Sequence, residues 1–407
     1  MKKMLKTAKI PEGFKSEYNE VLPRIKSGKE QQLYVFEPAF DGPQEGTSKY
    51  NGKDVIMLTS NNYLGLSTHP EVKKAIKEAV DKYGSGTCGA RLHNGTTVLH
   101  KELEEKVAEF FRTESAMIVS AGYLANVSAL STLCNDSESV IITDQLNHMS
   151  IVDGISMSSA KVKIFTHNDM DKLEYILKNS SEYKRKLIVV DGVYSMDGDL
   201  ACLDEITDLA EKYDSMVMVD EAHTLGFFGE TGRGVSEHFG LEDKVAIKMA
   251  TFSKSLAGVG GCIAADSDTI EYLKHSAHQY IFNASLPPAV VAGVLKALEL
   301  MQKETWRREK LWANTIRFRR GLKSLGFDTM DSVSPIIPIY IGDDMVNMQM
   351  TKELLNRGVY IATAIFPSVP MNKSRLRTTI TASLSNEEID RALEQMEIVG
   401  KKFGVIK

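Results

Sequence analysis

Seven short apolar runs between residues 116 and 266 constrain this chain more than any other feature in it. They read AMIVSA, SVIITD, KVKIFTH, KLIVVDGVYS, SMVMVDEAH, KVAIKMATFS and GGCIAAD. A strand with one wet face alternates apolar and polar residues. Most of these runs are apolar throughout, so both of their faces must be covered. Amphipathic segments such as DMDKLEYILKN and LDEITDLAEKY fall between them. Strand and helix in repetition specify an α/β fold with a mainly parallel sheet. After Ser285 the rhythm changes to long helices (LPPAVVAGVLKALELMQKE, TWRREKLWANTIRFRRGLKSLG) and to the strands SPIIPIYIG, VYIATAIFP and RLRTTIT. We read residues 1–60 as an N-terminal arm with a short strand or two, 61–290 as the large domain and 291–407 as a smaller C-terminal α+β domain.

Composition narrows the function classes. With 43% hydrophobic and 25% charged residues the chain has the make-up of an ordinary globular protein. A formal charge of -5 and scattered basic residues argue against nucleic acid. Cys88, Cys134, Cys202 and Cys262 are too far apart in sequence for a metal or redox motif, and no metal is expected. The start, MKKMLKTAKI, lacks the apolar stretch of a secretory signal, and no run reaches the ~18 apolar residues of a membrane span. A cytoplasmic protein is the expectation, with membrane contact at most peripheral.

In an open α/β sheet, ligands sit beyond the carboxyl ends of the strands. The residues there form an unusual set. SMVMVDEAH ends in Asp220 and His223; IITDQLNHMS carries His148; IVSAGYLAN carries Ser120, Gly122 and Tyr123 and opens a helix; ATFSKSLAGVGG carries Thr251, Ser253 and Lys254 before three glycines. One cofactor asks for this combination. Pyridoxal phosphate needs a lysine to hold it, a carboxylate against its ring nitrogen and a seat for its phosphate. Lys254 and Asp220 supply the first two. The helix start at Gly122 and Tyr123, with the Thr251 and Ser253 hydroxyls, supplies the third. His148 is placed to lie over the ring, and His223 to hydrogen-bond its 3-oxygen. A strand-end Asp can instead cap a helix, and a single His is more often structural; the spacing of the set as a whole carries the argument.

NNYLGLSTHP, GSGTCGARLHNGTTVLHKELE, LNHMSIVDG, VDGVYSMDGDLA, VMVDEAHTLGFFGETGRG, TFSKSLAGVGG, YIFNASLPPA and RLRTTITAS follow one another in an order that resembles the α-oxoamine synthases, a branch of fold-type I pyridoxal phosphate enzymes. The resemblance runs from about Asn61 to the C-terminus. It implies a large domain with a mainly parallel sheet, a smaller C-terminal domain and a homodimer with shared active sites. It implies that an amino acid displaces Lys254, which then removes the α-proton, and that the carbanion attacks an acyl thioester carried by coenzyme A or a carrier protein, with loss of carbon dioxide. It assigns Arg377 to the substrate carboxylate, Asn61 (or its neighbour Asn62) to a place near substrate, Ser195 to the ring 3-oxygen and Ser285 to the phosphate of the other subunit. Asn283-Ala284 stands where some relatives have two threonines, and Ala250 replaces a usual glycine. Within the family the blocks look most like bacterial serine palmitoyltransferases, which implies serine and a long-chain acyl thioester. Glycine C-acetyltransferase and 8-amino-7-oxononanoate synthase are the alternatives. A catalytically silent partner subunit would have lost the lysine that this chain keeps.

Overall fold

The computed structural model describes residues 11–15 and 18–407; the stretch MKKMLKTAKI lies outside them. A hairpin of β1 (Thr47–Tyr50) and β2 (Lys53–Met57) precedes the main sheet. That sheet is built from β3 (Ser115–Val119), β4 (Ser139–Asp144), β5 (Lys161–Phe165), β6 (Arg185–Asp191), β7 (Met216–Asp220), β8 (Ile247–Thr251) and β9 (Gly261–Ala265). Its order is β3-β9-β8-β7-β6-β4-β5, and every pairing is parallel except the two that β9 makes. The nine residues between β8 and β9 are too few for a crossover helix, so β9 must run back antiparallel.

Side chains alternate between two cores. Ile118, Ile142, Val190 and Val219 face one, against helices Val98–Phe111, Met170–Lys178 and Leu203–Lys212. Val119, Ile141, Val189 and Met218 face the other, against helices Gly122–Leu133, Met149–Ser156 and Ser267–Ser276. This is the double burial that the unbroken apolar runs require. The edge strand β5 is the exception: Lys161 and Lys163 stand on it where no neighbour pairs, which discourages further strand addition.

β10 (Ile336–Gly342), β12 (Ala362–Ala364) and β13 (Ser374–Thr379) form an antiparallel sheet packed by helix Asp344–Asn356; helix Asn386–Lys402 packs on that helix and on helix Trp306–Leu325. The run VYIATAIFP, expected as one strand, is two. β11 (Val359–Tyr360) pairs in parallel with β2, and after Ile361 the chain switches to pair with β13. An apolar run shows burial but not its partner, so the switch has no sequence signature. The arm also departs from expectation, since a helix spans Tyr18–Glu30 ahead of the hairpin despite Pro23 within it. Among the described residues, no helix is long and apolar enough to cross a membrane.

A charged triad ties the β4 and β5 ends to the loop after β6. His167 Nδ1 lies 3.2 Å from Asp144, and Nε2 lies 2.7 Å from Asp199 Oδ2. Burial pulls the His167 pKa down, but hydrogen bonds to the two carboxylates outweigh it and raise it to about 10. The folded-state pKa lies above the unfolded one. The stability gained is therefore full below pH 6.5 and is lost as pH rises to about 10. Urea unfolding across that interval should show the decline. His167→Gln should lose about 2 kcal/mol at neutral pH and flatten the dependence; an unchanged slope in the variant would assign the pH response to other groups.

Candidate active site

A cavity of about 290 Å³ opens at the carboxyl ends of β4, β6, β7 and β8. A larger groove of about 560 Å³ runs between helices Pro70–Tyr83, Val98–Phe111 and Pro288–Lys303, but lysines, glutamates and apolar side chains line it and no acid–base set converges there. Chemistry, not size, picks the smaller cavity. Its walls hold Gly122, Tyr123, His148, Asp191, Asp220, His223, Thr251, Ser253 and Lys254.

Asp220 ends β7 and is 5% exposed. Its Oδ1 accepts the Ala222 N–H at 2.8 Å, and its Oδ2 accepts the Asn126 side-chain amide at 2.7 Å. The same Asn126 nitrogen donates to Ser150 Oγ at 2.8 Å. Ser150 Oγ lies 2.7 Å from His148 Nδ1, and the Ser150 N–H donates to that nitrogen at 3.2 Å. Nδ1 thus accepts, which leaves the His148 proton on Nε2. Burial lowers the His148 pKa, and Asp220 and Lys254 act on it in opposite senses. The His148 backbone N–H donates in turn to Asp191 Oδ2 at 3.0 Å.

Asp191 and Asp220 stand opposite each other in the parallel register of β6 and β7. Burial, then the charge of Asp220, pushes the Asp191 carboxyl well above the carboxylate range. Its Oδ1 is buried with no partner. Lys254 faces the pair. Burial lowers its pKa to about 8 against the pull of Asp220, with Arg377 pushing the same way as burial. A reactive, partly neutral amine follows. His223 is buried, with its Nδ1 2.7 Å from the Tyr63 hydroxyl. Burial, with Lys254 and Arg377 nearby, drives its pKa well below the usual histidine value.

The hairpin bearing Lys254 explains the glycines behind it. Gly260 sits at φ +112, and a Cβ on Gly261 would lie 2.6 Å from Gly122 Cα. A Cβ on Gly122 would in turn meet Thr251 Oγ1 at 2.5 Å. The glycines bring the Thr251 hydroxyl against the first turn of helix Gly122–Leu133, whose start has no side-chain cap. Thr251 Oγ1 lies 2.8 Å from Ser253 Oγ. Free N–H groups and two hydroxyls at a helix start fit a phosphate. The lysine, the buried acid and this seat together fit pyridoxal phosphate.

Arg377 reaches the site from β13. Its Nε donates to the Ser195 carbonyl at 2.6 Å, and its Nη1 donates to Thr379 Oγ1 at 2.9 Å and to Asn61 Oδ1 at 3.5 Å. Ser195 thus serves here through its backbone. No carboxylate pairs with the buried Arg377 among the described residues, whereas its neighbour Arg375 holds Asp197 at 2.7 Å. Asn62 is occupied by Gln44 and Ser67, so of the two asparagines it is Asn61 that meets Arg377. Ser120 and Ser285 stand apart, beside a separate crevice. Ser120 Oγ accepts from Asn283 at 2.6 Å, and Ser285 Oγ meets Thr87 Oγ1 at 2.7 Å. Sequence reasoning passed over Tyr63, Asn126, Ser150 and the acid role of Asp191. Only Ser150, two residues beyond His148, carried a local signal.

Residues 53–396 match the family model "Aminotransferase class I and II". The chain is 42% identical to the 8-amino-7-oxononanoate synthase of Bacillus pumilus over 96% of its own length and 99% of that protein. A serine palmitoyltransferase variant from S. paucimobilis, solved with a PLP–myriocin aldimine, superposes with a TM-score of 0.92 at 35% identity, over 96% of this chain and 99% of that one. The 8-amino-7-oxononanoate synthase of Francisella tularensis superposes with a TM-score of 0.74 at 26% identity, over 86% of this chain and 99% of that one. This chain belongs to the aminotransferase class I and II family, and within it to the pyridoxal phosphate-dependent α-oxoamine synthases.

Proposed function

We propose that this chain makes an 8-amino-7-oxononanoate, rather than the serine-derived long-chain product that its sequence blocks first suggest. The preference follows the 42% identity to synthases of that name, against 35% for the serine palmitoyltransferase. The product name reads as chemistry. A nine-carbon acid with its amine on C8 and its ketone on C7 divides between those carbons. The amine half is alanine that has lost carbon dioxide. The other half is a seven-carbon acyl thioester with a free terminal carboxylate. The serine palmitoyltransferase reading stands second, favoured by the closer superposition of that fold.

The buried Arg377 guanidinium without a carboxylate of its own carries the reading of the site, because an amino acid supplies one. Bound pyridoxal phosphate supplies an electron sink for a carbanion at the substrate's α-carbon. Arg377 offers a fork to the amino acid carboxylate, and His148 adds its Nε2–H to the same group. Lys254 would hold the cofactor, and its Nζ is the base that would take the substrate's α-proton and return it to the product. Asp220 would hold a proton on the ring nitrogen by opposite charge. His223 would donate to the 3-oxygen. Gly122, Tyr123, Thr251 and Ser253 would seat the phosphate. The exposed apolar residues Met149, Val152 and Phe282 flank the segments of Tyr123, His148 and Asn283, and support a homodimer in which Ser285 serves the partner's site.

A matrix of alanine, serine and glycine against heptanedioyl, palmitoyl and acetyl thioesters, scored by thiol release and product mass, tests the proposal. Alanine with the heptanedioyl thioester should lead by about tenfold or more; a lead for serine with palmitoyl would replace the reading by the second. Loading of ligand-free protein with pyridoxal phosphate should speed up as pH rises through about 8, where Lys254 loses its proton, and not through the usual lysine range. Arg377→Lys should raise KM for the amino acid about tenfold or more, because an ammonium cannot replace the fork; an unchanged KM would place the carboxylate elsewhere.

A further inference from the structure

Tyr63 is fully buried, and nothing in the proposed chemistry uses it. Its backbone is pinned: the N–H donates to the Asn61 carbonyl at 2.8 Å, and its own carbonyl accepts the Ala382 N–H at 2.7 Å. Its ring packs on Phe227 at 4.6 Å between centroids. The phenol therefore has one position, with its oxygen 2.7 Å from His223 Nδ1. The Arg377 guanidinium lies nearby, bonded to Ser195, Thr379 and Asn61. A guanidinium only donates, and a hydroxyl has a single proton. Of the pair 2.7 Å apart, the phenol is the stronger donor and the imidazole nitrogen the stronger acceptor, so the phenol proton goes to His223. Burial keeps the His223 ring neutral, with one proton for two nitrogens. Nδ1 accepts from Tyr63, which leaves that proton on Nε2.

We propose that Tyr63 is the positioning residue that sets the tautomer of His223, fixing its proton on Nε2 so that the ring can only donate on that edge. The consequence for the 3-oxygen rests on the functional reading above; the tautomer itself does not. Without the phenol, neither ring nitrogen of His223 would have a preferred partner on the Tyr63 side. The ring would then sample a form with a bare Nε2, which repels an anionic oxygen.

Nitrogen NMR of histidine-labelled protein, with His223→Gln to assign the signal, reads the tautomer directly. The ligand-free native chain at neutral pH should show a bare Nδ1 and a protonated Nε2; a protonated Nδ1 would overturn the proposal. Tyr63→Phe should introduce the second tautomer and weaken pyridoxal phosphate binding about tenfold. An unchanged tautomer in that variant would equally overturn the assignment. Fluorotyrosine incorporation keeps the ring and strengthens the O–H donor, so it should move the Nδ1 resonance, and a still signal counts against Tyr63 even where the Phe variant fails to fold. A native chain that does not bind pyridoxal phosphate would sink the functional reading and leave the ligand-free tautomer to be judged alone.

Discussion

Everything in the site is arranged around one buried negative charge. β6 and β7 end side by side, and their register puts Asp191 against Asp220. Two ionised carboxylates at adjacent strand ends repel strongly where water is excluded, so one of them keeps its proton. Asp191 is the one pushed up. Asp220 accepts from a side-chain amide and a backbone N–H. That leaves a single anion at the floor of a cavity, opposite a lysine whose own charge is weakened by burial. A heteroaromatic cation is the natural partner for such a floor.

The two histidines follow from the same economy of protons. Each has its Nδ1 engaged by a hydroxyl, Ser150 for His148 and Tyr63 for His223. Neither is charged at neutral pH, since burial works against the imidazolium in both. They become directional donors and not floating bases. Arg377 adds a positive fork, and it comes from the C-terminal sheet while its Nε is anchored on Ser195 of the strand-end loop after β6. Arg375 joins the same two parts through Asp197, but Arg377 keeps its fork without a carboxylate, and the substrate carboxylate would bind there.

This frame explains why class and substrate part company. Lysine, acid and phosphate seat come from the carboxyl edge of the main sheet and the arginine from β13, and each serves the carbanion rather than the side chain that sorts substrates. Alanine and serine differ by one hydroxyl, and a pocket separates such a pair mainly when it is built to hydrogen-bond that group. Sequence identity leans toward one product, and overall superposition leans toward the other. A chain fold reports the common machinery more faithfully than the one or two contacts that sort side chains.

The double burial of the main sheet was legible in runs such as SVIITD, because an unbroken apolar strand has no wet face to offer. Asp220, His223 and Lys254 were legible for a related reason: the residue that follows a parallel strand is delivered to one edge of the sheet, whatever the rest of the chain does. The opposition of Asp191 to Asp220 was not, since it depends on register. Nor was the break at Ile361, where the chain leaves one sheet for another. Tyr63 and His223 are 160 residues apart, and Asn126 and Asp220 are 94 apart. The sequence by itself determined the layered sheet and the groups at its carboxyl edge, through local pattern and strand direction. Only the tertiary structure decided which carboxyl keeps its proton, which way each histidine donates and what Arg377 lacks, because those follow from distances between groups that no local period relates.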